Sequence, residues 1–145
     1  MIAQRLTYLL FISLLIYSIP LFAKEEIVVI VHPDNPISSM SKSQVIDLFM
    51  GKYVAFPNGE KAIPIDIEKP DDLKKNFYEQ LVGLPLSRVN AYWSRIKFSG
   101  RARPPANKKD YTEAINFLKS TPNAIMYIPK RQLTDTAKVV FAFSE

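Results

Sequence analysis

The chain has 145 residues, with 19 Lys and Arg against 14 Asp and Glu, and a formal net charge of +5. This length fits one ordinary domain, and the positive charge is spread along the chain, so it favours anionic partners without indicating nucleic-acid binding. The absence of cysteine excludes disulfides and a lipid-modified cysteine, and a single histidine excludes the usual zinc site, so we predict no metal and no cofactor.

The first 23 residues have the order of a secretory signal peptide. Arg5 precedes an almost wholly apolar run over residues 6–16, and the small residue Ala23 closes the segment. We therefore expect cleavage after Ala23 and release into the periplasm of one domain, residues 24–145, which folds without disulfides. An uncleaved N-terminal anchor is the alternative, because the apolar stretch approaches the shortest length that spans a bilayer.

Residues 27–31 form an unbroken apolar, β-branched run that ends shortly before Pro33. Such a run is typical of a strand that is buried on both faces, as in a parallel sheet covered by helices. His32 follows the strand directly, and we interpret this residue as part of an ordinary loop rather than as a catalytic group.

The next segment has the local signals of a short helix that begins at Ser41. Ser41 and Gln44 have the spacing of a capping box, and Gly51 is the residue type that ends a helix in a left-handed turn. Ser38, Ser39 and Ser41 place hydroxyl groups around free backbone N–H groups at the positive end of the helix dipole. This serine helix is therefore a candidate anion site, and simple capping is the alternative.

A second strand is predicted over residues 62–67, and an acidic segment that includes Asp66, Asp71 and Asp72 overlaps its end. We interpret Asp71 and Asp72 as acids that complement the dipole of a helix beginning at Pro70. Paired catalytic carboxylates are the alternative. Since no nucleophile or second base accompanies them, we predict that the chain is not an enzyme.

Two helices are predicted next, one with its buried stripe over residues 73–81 and one anchored in the core by Trp93. The loop after them carries Arg101 and Arg103 beside two prolines that keep the backbone extended. Arginine presents a planar fork suited to bidentate phosphate contacts, so both residues are candidate anion ligands. A solvated basic loop is the alternative.

A helix starting at Asp110 and strands over residues 124–128 and 138–143 complete the predicted elements. Strands that alternate with helices indicate an α/β domain with a mixed or mostly parallel sheet flanked by helices.

The order of these segments resembles the phosphate-binding periplasmic subunit of ABC transporters, within the type 2 periplasmic-binding-protein superfamily. The main piece is the run 28–52, with its strand, Asn-Pro turn, serine-capped helix and Phe-x-Gly-Lys ending. Three later pieces support the resemblance, namely 63–65, 91–100 with 104–105, and 122–128. Together they cover nearly all of the chain after residue 27. The resemblance implies a single periplasmic-binding-protein-like lobe, because two-lobed relatives need a longer chain.

The resemblance also implies a function and a set of site residues. We expect an exported domain that binds phosphate or a related oxyanion in connection with ABC-type uptake. Its expected ligands are Ser38, Ser39 and Ser41, with Arg101 or Arg103 closing over the anion and Asp66 as an acceptor for protonated phosphate. The implied partners are ABC transporter membrane subunits, another envelope protein, or a second copy of the chain in a homodimer.

One departure from the family pattern leaves a second function open. In the phosphate binders, the strand corresponding to residues 63–65 leads into an Arg-x-x-Ser-Gly-Thr type ligand loop, whereas residues 66–71 here supply carboxylates. Ionised carboxylates accept hydrogen bonds only and repel a dianion. The alternative is therefore a single-lobe periplasmic protein-interaction module that has lost anion binding.

Overall fold

The computed structural model of the protein describes residues 24–143, which form a five-stranded mixed sheet and four α-helices. The strands are β1 Ile27–Val31, β2 Ile63–Ile67, β3 Ala106–Lys108, β4 Ala124–Pro129 and β5 Lys138–Ala142. The helices are α1 Lys42–Phe49, α2 Asp71–Val82, α3 Leu86–Ser99 and α4 Tyr111–Ser120, with a 3₁₀ turn over Lys130–Gln132. The predicted α/β class with a mixed sheet is confirmed.

The predicted signal peptide over residues 1–23 lies outside the described residues. Within residues 24–143, none of the helices combines the length and the apolar character that a bilayer crossing requires.

The sheet has the order β3-β2-β4-β1-β5. Strand β2 is parallel to β3 and β4, whereas β1 is antiparallel to both β4 and β5. The carboxyl ends of β2, β3, β4 and β5 therefore share one edge of the sheet, here called the carboxyl edge, and their amino ends share the opposite amino edge. All five residues of β1 are buried as predicted, but its neighbours run antiparallel to it, so the expected parallel setting is wrong for this strand.

Helix α1 forms through the capping box that its sequence predicts. The Ser41 Oγ accepts a hydrogen bond from the Gln44 N–H at 3.2 Å, and the Ser41 N–H donates to the Gln44 Oε1 at 2.8 Å. Gly51 follows the helix with φ +71°, a left-handed conformation that costs glycine little. Both ends of α1 are thus fixed by local sequence.

Aromatic rings pack α1 and α2 onto the sheet. Phe77 of α2 stacks on Tyr127 of β4, with 3.8 Å between ring centroids and 9° between ring planes. Phe49 of α1 meets Phe77 edge-on at 5.0 Å. These three rings are fully buried, so they hold both helices against the centre of the sheet.

Gly51 also allows α3 to pack closely against the end of α1. A Cβ added at Gly51 would lie 2.6 Å from the Trp93 Cη2, whereas a Cβ added at Gly83, which has a similar φ of +68°, meets nothing within 4 Å. Gly51→Ala should therefore strain the left-handed backbone and also press the new Cβ against Trp93. Together these effects should lower the unfolding free energy by about 3 kcal/mol. Gly83→Ala should lose about 1 kcal/mol. Urea unfolding measures both, and equal losses would contradict close packing at Gly51.

Candidate functional site

The tip of α1, defined as residues 38–43, lies at the carboxyl edge of the sheet. The Met40 N–H donates to the Val140 carbonyl of β5 at 2.7 Å, and the Lys42 Nζ lies 6.0 Å from the ring centroid of Phe143, just after β5. Helix α2 also begins at this edge, because it follows the carboxyl end of β2. Ligands of open α/β sheets generally bind outside the carboxyl ends of the strands, so the tip occupies the expected kind of location.

The tip is open and offers unused donors. Ser38, Ser39 and Ser41 are all exposed, so a dissolved anion can reach them. The Ser41 groups serve the capping box, but within residues 24–143 the backbone N–H groups of Lys42 and Ser43 donate to no protein acceptor. These two N–H groups stand at the positive end of the helix dipole, where an anion is stabilised.

Asn35 positions the loop that leads to the tip, a role that was not predicted from the sequence. Its side chain is buried, accepts from the Ile37 N–H at 2.9 Å and donates to the Pro122 carbonyl at 3.0 Å. The Lys138 Nζ donates to the Asn35 carbonyl. The Asn-Pro turn was the available signal, since asparagine before a turn commonly bonds to the backbone two residues on.

The structure does not bring Arg101 and Arg103 to the serines. Both arginines are exposed and line a groove of about 640 Å³ that also includes Lys61 and Gly51. They precede β3 and therefore lie towards the amino edge, beside the carboxyl-terminal end of α1. Ser41 and Gly51 are separated by ten residues, roughly 15 Å along a helix axis, so the arginines and the serines form two separate groups.

Asp66 lies in a third place and has a structural role. Its side chain is buried in β2, and its Oδ1 accepts hydrogen bonds from the hydroxyls of Tyr78 and Tyr127, each at 3.0 Å. Its Oδ2 pairs with the Lys74 Nζ at 2.8 Å. A cavity of about 330 Å³ next to this network is lined by Asp66, Lys74, Lys97 and neutral residues, and it includes neither the serines nor the two arginines.

Burial raises the pKa of Tyr78 well above its ordinary value of 10.0, and the negative charge of Asp66 raises it further. The pKa of Tyr127 is raised for the same two reasons, again with burial first. Both hydroxyls therefore stay protonated and keep donating to Asp66 throughout the neutral range. Among residues 24–143 there is no group of three His, Cys, Asp or Glu side chains able to hold a metal ion.

The fold of this chain is similar to part of several solved structures that are described as phosphate-transport proteins with the periplasmic-binding-protein-like α/β fold. A protein from Clostridium perfringens, described as a phosphate ABC transporter substrate-binding protein with bound phosphate, matches with TM-score 0.62 and 16% identity. An ABC-type phosphate transport receptor from Vibrio cholerae matches with TM-score 0.62 and 10% identity. PstS from Borrelia burgdorferi matches with TM-score 0.53 and 16% identity.

Each of these matches covers 80% of this chain but only 44%, 45% and 46% of the other chains, respectively. The matched part of the chain therefore spans less than half of each of these proteins. The predicted resemblance is confirmed for the fold, and identities this low show the fold alone. No protein-family model and no curated protein matches the chain.

Removal of Asp66 should lower the unfolding free energy of the domain much more than removal of an exposed carboxylate. Asp66→Ala leaves two buried hydroxyls and the Lys74 ammonium without their acceptor, so we expect a loss of about 3–5 kcal/mol in unfolding free energy. Glu26→Ala is the matched control, because it removes a carboxylate from an exposed pair with Lys130 and should cost less than about 1 kcal/mol. Denaturant unfolding of both variants makes the comparison, and similar losses would contradict the assigned role of Asp66.

Alkaline pH should weaken the fold through the buried tyrosines. Because the pKa of Tyr78 is higher in the folded state than in the unfolded state, the unfolded state releases its proton first as pH rises. Unfolding free energy should therefore be level near neutral pH and fall as pH rises above about 10. Tyr78→Phe should show a shallower fall in denaturant unfolding between pH 8 and about 11.5. An unchanged slope would contradict a buried, protonated Tyr78.

Proposed function

We propose that the chain is an exported solute-binding-protein-like domain that binds a small oxyanion, phosphate first, at the tip of α1. The observation that carries the proposal is the exposure of this tip, with the N–H groups of Lys42 and Ser43 unused by residues 24–143. The fold likeness to phosphate-transport proteins supports the choice of phosphate.

The proposed ligands are the hydroxyls of Ser38, Ser39 and Ser41 together with the two free N–H groups. Arg101 and Arg103 are not among them, since both line the groove at the other end of α1. Asp66 is also outside the proposed site, because its oxygens serve Tyr78, Tyr127 and Lys74. Residues 38–43 add only one formal positive charge, the exposed ammonium group of Lys42, to these neutral donors and the helix dipole. Such a set supports a weak site, with a dissociation constant on the order of 1 mM.

The proposal includes a location and a partner. The predicted signal peptide over residues 1–23 would place residues 24–145 in the periplasm. The described lobe supplies one wall of a binding cleft, and the facing wall would come from an ABC transporter membrane subunit, another envelope protein or a second copy of the chain. A covering partner would exclude water and strengthen the hydrogen bonds to the anion.

Phosphate titration followed by ¹H–¹⁵N NMR tests the proposal. Phosphate should shift the Lys42 and Ser43 amide signals and saturate in the millimolar range, whereas chloride at equal ionic strength should not. Replacing both Ser38 and Ser39 by Ala should weaken phosphate binding roughly 5-fold or more, since each lost hydrogen bond contributes about 0.5–1.5 kcal/mol. This change leaves the Ser41 capping box in place.

Ser87→Ala is the matched control, because Ser87 is an exposed serine in the first turn of α3. It should leave phosphate binding unchanged. Shifts that scatter over the surface, or that chloride reproduces, would overturn the oxyanion proposal.

The interaction module is the second candidate, and one observation favours it. A largely apolar groove of about 340 Å³ lies between α1 and the loop after it. Tyr53 and Val54 line this groove and are 57% and 69% exposed, which is unusual for large apolar side chains. Failure of the phosphate titration would leave docking of another protein at this groove as the better-supported function.

A further inference from the structure

Basic residues occur along the whole chain, but the net positive charge is concentrated in one segment. Residues 80–109 contain seven Lys and Arg and no Asp or Glu. The remainder of the chain holds 12 basic and 14 acidic residues, so outside this segment the formal charge is slightly negative. The basic segment comprises the end of α2, all of α3, the loop after it and β3.

Helix α3 presents this charge on its solvent side. Val89 and Trp93 are buried, whereas Arg88, Arg95 and Phe98 are exposed and follow one another at helical spacings of seven and three residues. Phe98 is 93% exposed, the largest exposure of any large apolar residue among those described. The exposed Phe98 ring therefore lies in solvent near the end of α3, after the two exposed arginines of this helix.

The loop after α3 adds two more exposed arginines. Arg101 and Arg103 follow Phe98 within five residues, and with Lys61 they line the groove of about 640 Å³, whose lining contains no acidic residue. We call Arg88, Arg95, Phe98, Arg101 and Arg103 the basic face. None of its four cations takes part in an ion pair within residues 24–143.

We propose that the basic face binds the surface of an anionic phospholipid bilayer. Arginine contacts phosphate with two parallel N–H groups, and basic residues near an anionic membrane each add favourable binding energy. The Phe98 ring fits the headgroup boundary, where surface-bound proteins place aromatic side chains between basic ones. On the solvent side of α3, an interface with another protein would need a broader apolar core than the single ring of Phe98 supplies.

The basic face and the tip of α1 are separate surfaces, so this proposal does not rest on phosphate binding by the serines. Arg101 and Arg103 lie beside the carboxyl-terminal end of α1, whereas the serines lie at its start. Variants of one surface leave the other intact. The two proposals can therefore fail independently.

Vesicle co-sedimentation tests the proposal with the purified protein. Every variant keeps the same N-terminus, so any contribution of residues 1–23 cancels in the comparison. Vesicles with one-third phosphatidylglycerol in phosphatidylcholine should bind the protein more tightly than pure phosphatidylcholine, and added salt should weaken the binding. Replacing both Arg95 and Arg101 by Gln should weaken partitioning roughly 30-fold, and Phe98→Ser should weaken it severalfold.

Replacing both Lys75 and Lys119 by Gln is the matched control, because it removes two exposed charges from α2 and α4. This control should bind vesicles within about 3-fold of the unmodified protein. All the changed side chains are exposed, so unchanged denaturant unfolding confirms that each variant folds.

Several results would overturn the proposal. Equal binding to neutral and anionic vesicles would do so, as would an equal loss in the lysine control. Displacement from vesicles by inorganic phosphate, beyond the effect of chloride at the same ionic strength, would assign the arginines to free phosphate instead. Retention on polyglutamate or RNA without vesicle binding would assign the face to an acidic macromolecule.

Discussion

A buried carboxylate with three partners is the interaction on which the rest of this lobe depends. Asp66 lies in β2, Tyr127 in β4, and Tyr78 and Lys74 in α2, so one side chain joins two strands and a helix. A charge at 4% exposure is tolerated only when donors surround it, and here two hydroxyls and an ammonium group do so. The network fixes α2 on the sheet, and Phe77 of α2 then provides the surface on which Phe49 of α1 packs. The position of the α1 tip therefore depends indirectly on Asp66.

Elements specified by local chemistry could be predicted from the sequence, whereas elements specified by a neighbour could not. The capping box at Ser41 and the left-handed turn at Gly51 involve residues close in the chain, and both are confirmed. Strand β3 has three residues, Ala106–Lys108, without an apolar pattern, and it forms because β2 offers it an edge. The direction of β1 relative to its neighbours could not be predicted from the sequence, because burial on both faces does not distinguish parallel from antiparallel neighbours.

The same distinction separates the candidate site into its predictable and unpredictable parts. The exposed serines follow from helix capping, which the residues themselves encode. Asp66 bonds to tyrosines 12 and 61 positions away, so its structural role depended on the topology. Its setting between Ile65 and Ile67 was the available signal, since an acid inside an apolar strand must find buried donors. The separation of Arg101 from Ser41 could not be predicted either, because it depends on the loop between α3 and β3 lying towards the amino edge.

The tip of α1 and the basic face both attract anions, but they do so through different interactions. The tip of α1 has a single formal charge, that of Lys42, and otherwise offers hydroxyls, N–H groups and a dipole, which act over about one helical turn and discriminate by hydrogen-bond geometry. The basic face offers formal charges, which act over about 8 Å at physiological ionic strength and attract any extended anionic surface. A small dissolved anion gains little from widely spaced arginines, because it contacts one or two at a time. A bilayer presents many phosphates over an extended surface, so several of these charges can engage it together, whereas the serine tip suits a single small oxyanion.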